Sequence, residues 1–186
     1  MIVNLMWYFL IYSFLGFGLE ILFARCTGHP KKDRKCLLVL PLCPVYGLGA
    51  VGILSLPQAV LSRPQLLFPA GAIAATAAEY LMALFYEKVW RVSFWNYTGV
   101  TGSVQGRICL PFSLAWGVLS LPLVYVLHPA VAAFAAGLSD QLLVPLFSLF
   151  LADSLVTGHL LRQSGTTDSL KWYTPQPRQL EAGGRD

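Results

Sequence analysis

The sequence predicts an all-α fold, a polytopic bundle of about five transmembrane helices. Three observations predict it. Hydrophobic residues make up 56% of the 186 positions and charged residues only 12%, a balance that suits lipid and would precipitate a water-soluble globule. Five apolar stretches, at 5–24, 37–61, 66–86, 108–127 and 129–161, each supply the roughly 20 residues a spanning helix needs. Every lysine and arginine except Arg63 falls on one side of those stretches.

That sorting sets the expected orientation. The positive-inside rule places the N-terminus outside and the C-terminus in the cytoplasm. It also accounts for the net charge of +4 without a nucleic-acid partner; the lipid bilayer is the expected partner. The first stretch has no basic residues ahead of it and is long, so it reads as a retained helix and not as a cleaved signal. Residues 1–161 are expected to form the membrane domain and 162–186 a mobile cytoplasmic tail.

In the first helix, Tyr12, Gly16 and Glu20 recur at i, i+4 and i+8, giving a small, polar face that ends in a carboxylate. A carboxylate at membrane depth is costly and normally faces a protein interior or a cavity. The alternative is a packing seam in which Glu20 meets an arginine or a backbone group. The second stretch carries Pro41, Pro44 and Gly47 in its cytoplasmic half. Each proline removes a donor, and Pro44 would clash with the carbonyl of Leu40 in a continuous helix. A broken helix is expected there, lining either a wet cavity or a kinked packing seam.

The third stretch sets Glu79 among Ala72, Ala75, Thr76 and Ala83, a stripe of small residues that lets neighbouring helices approach. Glu79 therefore points into the bundle. Between Glu87 and Arg107, the aromatic residues Trp90, Phe94, Trp95 and Tyr97 suggest an interfacial or re-entrant loop. The fourth stretch follows Gly106-Arg107. In the fifth, Asp140 and Asp153 stand roughly 220° apart at about 100° per residue, so they share no face unless Pro145 resets the helix.

The four cysteines form no CxxC pair. Cys26 and Cys36, with His29 between them, lack a second ligand pair at zinc spacing. Reduced thiols, no metal and no cofactor are expected. There is no GxxxxGK[ST], HExxH or GxSxG motif, so no catalytic or nucleotide-binding chemistry is recognisable.

Read in order, Tyr12-Ser13 with Gly16 and Glu20, Pro41-x-x-Pro44-Val45-Tyr46-Gly47, Glu79-Tyr80, Trp95-Asn96-Tyr97 and Gly106-Arg107-Ile108-Cys109-Leu110 resemble the bacterial family described as putative ABC-transporter type IV. The resemblance runs roughly from Tyr8 to Trp116. It departs from the family at Leu40, where glycine is usual, at Phe17, where tryptophan is usual, and at Asn96, where aspartate is usual. It implies a permease-like membrane protein.

The leading expectation is thus a transport component in which Glu20, Tyr46, Glu79, Trp95, Tyr97 and Arg107 bind substrate in a polar cavity open to the cytoplasm. Were it driven by ATP, a separate ATPase subunit would dock on the basic loops. Five helices are few for a complete pathway, so a homo-oligomer is expected. Two other readings stay open. One is an intramembrane lipid-modifying enzyme with a carboxylate as base and Arg107 on a headgroup phosphate. The other is a scaffold or assembly protein whose carboxylates only pair with arginines.

Overall fold

A computed structural model describes residues 2–26 and 35–170. His29, Lys31, Lys32 and Arg34 of the first loop, and the chain from residue 171, lie outside the described residues. Within them the helices are α1 (Ile2–Cys26), α2 (Pro44–Leu54), α3 (Gln58–Leu61), α4 (Pro64–Phe85), α5 (Leu110–Pro122), α6 (His128–Ala136) and α7 (Leu143–Ser164). The described residues contain no strand, only an isolated bridge between Val104 and Ile108. Four helical rods are long and apolar enough to cross a membrane: Ile2–Cys26, Pro64–Trp90, Leu110–Ala136 and Asp140–Ser164. The molecule is an all-α, multi-pass membrane protein.

The second stretch departs most from a simple span. Its helix α2 has 11 residues, about half the hydrocarbon thickness at 1.5 Å per residue. It starts at Pro44, so Tyr46 and Gly47, read from the sequence as part of the break, are helical. Proline fits the first helical turn because that turn needs no donor. Ahead of it, residues 35–43 carry no helix, and their amide groups must find partners elsewhere. They do. Leu38 donates to Thr157 Oγ1 (2.9 Å), Val39 and Leu40 to the Asp153 carboxylate (3.1 and 2.7 Å), Leu42 to the Leu40 carbonyl (2.8 Å) and Cys43 to the Ser13 carbonyl (2.9 Å). Pro41 has no amide hydrogen to place.

That explains Asp153 and Thr157, one turn apart on α7 and both buried. They replace the missing helical turns of the second segment. Pro145, expected as a break in the fifth stretch, lies in the first turn of an uninterrupted α7, where a proline costs no hydrogen bond. The cysteines also differ from expectation: Cys36 and Cys43 are disulfide-bonded across this folded-back segment, while Cys26 is free and exposed and Cys109 free and buried.

The fourth helix runs past the expected end at Leu127. After Pro122 a π-helical turn, Leu123–Leu127, carries the chain into α6, which continues to Ala136. The wider turn accommodates Pro129, whose ring would otherwise meet the Tyr125 carbonyl, and His128 packs against Tyr8 (ring centroids 4.8 Å apart) instead of marking a loop. The chain reverses at 137–139. A second π-helical turn, Tyr86–Trp90, extends α4 and ends at Arg91, whose φ of 62° breaks the helix. The segment that follows, 91–109, carries no helix. Trp90 and Val92 are buried in the core, and Phe94 and Trp95 pack against it.

The bundle closes through small residues. A Cβ at Gly16 would overlap Tyr46, one at Gly47 would overlap Ser13, and one at Gly71 would overlap Ser120, so α1, α2, α4 and α5 meet at backbone distance. The expected boundary after residue 161 falls inside α7. A short 3-10 turn, Thr167–Leu170, then buries Leu170 completely.

Candidate functional site

The site is a cavity of about 500 Å³ near the C-terminal end of α1, enclosed by α1, α2, α4, α5 and the 91–109 segment. From α1 comes Glu20. Because Gly16 has no side chain, the Tyr46 ring of α2 lies across it, and the Tyr46 hydroxyl donates to Glu20 Oε1 (2.8 Å). From α4 comes Glu79, only 4% exposed. Its Oε1 accepts from the Tyr97 hydroxyl (2.9 Å) and its Oε2 from the Trp116 indole (3.1 Å).

Tyr97 owes its place to the loop around it. The Trp95 indole donates to the Arg107 carbonyl (2.8 Å) and the Tyr97 amide to the Gly106 carbonyl (2.8 Å). Gly106 takes a φ of +71°, a left-handed conformation open to glycine without strain. Asn96 Oδ1 accepts from the amide and hydroxyl of Thr98 (2.9 and 2.7 Å), closing a local turn. The Tyr97 ring then stacks on Phe112 (5.0 Å, 27°), and Trp116 meets Tyr46 edge-on (5.4 Å, 72°). The polar groups form two hydrogen-bonded sets, Tyr46 on Glu20 and Tyr97 with Trp116 on Glu79, which meet at the Tyr46–Trp116 ring contact. Burial, and then the neighbouring Glu79 carboxylate, push the Tyr97 phenol well above its ordinary pKa, so it stays a donor throughout the physiological range.

Five of the six residues expected from the sequence thus line one cavity: Glu20, Tyr46, Glu79, Trp95 and Tyr97. Arg107 does not. Its Nε and Nη2 bond Glu87 Oε2 (2.9 and 2.6 Å), its Nη1 contacts Gln105 Oε1, and its guanidinium lies 5.4 Å from the centre of the Tyr80 ring. Glu87 and Tyr80 hold it on another face of α4, and those bonds to Glu87 raise its pKa further. Only its carbonyl serves the site, through Trp95.

The sequence reading missed Trp116 and Phe112. A signal existed for Trp116: an indole N–H in an otherwise hydrocarbon helix needs an acceptor. Among the described residues no group of three or more His, Cys, Asp or Glu side chains could hold a metal ion.

The model of the family described as putative ABC-transporter type IV matches residues 7–158. The chain belongs to this family. As a family member it carries the match across the whole cavity and on to Asp153 and Thr157, well beyond the motifs that suggested it. No curated protein and no solved structure matches the chain.

Proposed function

We infer that the chain is the membrane-embedded component of a transport system and that the Glu20–Glu79 cavity holds its substrate on the cytoplasmic side. The observation that carries this reading is the geometry of Glu79. A nearly buried carboxylate on a spanning helix faces a cavity of ligand size and is held by two neutral donors, Tyr97 and Trp116. A structural ion pair would have put an arginine there. Arg107, bonded to Glu87, is not available to hold a headgroup phosphate at this site. An inner-membrane location, a homo-oligomer and a separate ATPase subunit docked on the basic loops complete the proposal.

Glu79→Gln tests it. The glutamine oxygen can still accept from Trp116 and its amide can donate to the Tyr97 oxygen, so the fold survives while the charge is lost. The full chain in mild detergent is titrated with tetramethylammonium and with Mg²⁺, reading tryptophan emission and thermal unfolding. The wild type responds saturably to a cation; the variant unfolds at nearly the same temperature and does not respond. A variant that responds like the wild type removes Glu79 from the site. A variant that aggregates while Glu20→Gln also fails to fold assigns the carboxylates to packing.

A further inference from the structure

The carboxylate-bearing cavity continues past the rings of Tyr46 and Trp116. Beyond them lies a second cavity of about 270 Å³ whose walls are almost wholly hydrocarbon, including Leu15, Gly49, Ala50, Ala75 and Leu123. Leu19, Val45, Tyr46, Trp116 and Leu119 border both compartments. The two are stacked along the bundle. Phe23, Trp95 and Tyr97 mark the end near the α1 C-terminus, while Tyr12, Ile53 and Leu127 mark the far end.

One flank is open. α1 packs on α2, α6 and α7, and α5 packs on α4, so α1 and α5 stand apart beside both compartments. The Phe23–Phe112 contact closes the gap at one end and the Tyr12–His128 contact at the other, each with ring centroids 6.4 Å apart. Between these two contacts Leu15, Leu19, Val118 and Leu119 are exposed. A gap edged by leucine and valine in a spanning bundle faces lipid.

We propose that the ligand is an amphiphile with a cationic head, admitted from the bilayer between α1 and α5, its head beside Glu20 and Glu79 and its chain in the apolar compartment. This rests on the transport-site reading above and names the substrate class. Three features select that class. Among the described residues no basic side chain reaches Glu79, and aromatic walls beside carboxylates suit an alkylammonium head. The polar groups bordering the second compartment are already engaged: the Tyr12 hydroxyl with His128 Nδ1 (3.4 Å), Tyr46 with Glu20 (2.8 Å), Trp116 with Glu79 (3.1 Å) and Ser120 with the Gly117 carbonyl (2.7 Å). A head near the helix ends with the chain toward mid-bundle is also the orientation an amphiphile already has in that leaflet. A small hydrophilic cation would leave the second compartment empty, and an anionic amphiphile would meet the Glu79 carboxylate.

The test uses the full chain in phosphatidylcholine nanodiscs. The probe is a dodecyltrimethylammonium carrying a nitroxide on its chain, which quenches nearby tryptophan. The expected result is saturable quenching that unlabelled dodecyltrimethylammonium reverses. Zwitterionic dodecylphosphocholine, at the same membrane mole fraction, does not reverse it, and aqueous tetramethylammonium does so far less efficiently than unlabelled dodecyltrimethylammonium. Glu79→Gln weakens the probe about tenfold by removing a charged partner, and Leu15→Phe, which narrows the apolar compartment, weakens it as well. Equal displacement by the zwitterion overturns charge recognition, and efficient displacement by tetramethylammonium overturns the amphiphile; both leave the transport site standing. No saturable quenching, with no emission change on adding tetramethylammonium, overturns the transport site too.

Discussion

Replacing Asp153 with alanine should be among the most damaging single changes in this protein. The carboxylate is 6% exposed and accepts from two backbone donors, Val39 (3.1 Å) and Leu40 (2.7 Å), with the Thr157 hydroxyl alongside (3.3 Å). Alanine leaves both amides without a partner at membrane depth. At about 1–3 kcal/mol for each unsatisfied buried donor, the loss is about 2–6 kcal/mol. No longer burying a carboxylate offsets part of that, so the lower half of the range is expected. Asp153→Asn keeps one acceptor oxygen and should lose about half as much. Thr157→Val frees only the Leu38 amide, at a cost of about 1–3 kcal/mol. The assay is equilibrium unfolding in mixed micelles with increasing denaturing detergent, followed by tryptophan fluorescence. Asp153→Ala within about 1 kcal/mol of the wild type would refute the reasoning and show that the 35–43 segment finds its partners elsewhere.

Gly16→Ala places a Cβ into Tyr46. It should destabilise by about 1–3 kcal/mol as an overpacked contact, and the Glu20–Tyr46 hydrogen bond should be lost from the hydroxyl vibrational spectrum. The Tyr97 phenol has a folded pKa raised above the unfolded value, so its stabilisation is complete below about pH 10 and is lost as pH rises through the folded value. A spectrophotometric titration should therefore show a tyrosine ionising well above pH 10, and Glu79→Gln should lower that midpoint because one source of the shift is the Glu79 charge. Alkylation of the unreduced folded protein should label Cys26, spare the buried Cys109, and yield a Cys36–Cys43 linked peptide on digestion; alkylation of all four would refute the pairing. A reporter fused to the C-terminus should be active in the cytoplasm and a tag at Arg63 accessible from outside; the reverse would overturn the orientation read from the basic residues.

Composition and spacing alone were enough for the all-helical membrane fold, the interruption near Pro41–Pro44 and the inward direction of Glu79, though not for the number of long rods, which is four and not five. These depend on local facts: a run of apolar residues must seek lipid, a proline cannot donate, and a stripe of alanines must face a neighbour. The Tyr12–Gly16–Glu20 face was legible for the same reason, because positions four apart on a helix share a side whatever surrounds them. What the tertiary structure decided were the partners of those groups. Trp116 lies 37 positions from Glu79, and nothing local selects it among the aromatic residues of the chain. Asp153 reaches amides more than a hundred residues away, so its service to the broken segment could not be read from α7. Arg107 looked like a site residue because it sits beside the site in sequence. The direction a side chain leaves a turn depends on which charges stand on either face, and Glu87 drew it to the other side of α4. The fourth helix passed through His128-Pro129 because a π-helical turn relieved the proline and Tyr8 and Tyr12 received the imidazole. A lone sequence fixes which groups need partners, since that follows from their chemistry; only the packed chain fixes which partner each one meets, since that follows from contacts between residues far apart in order.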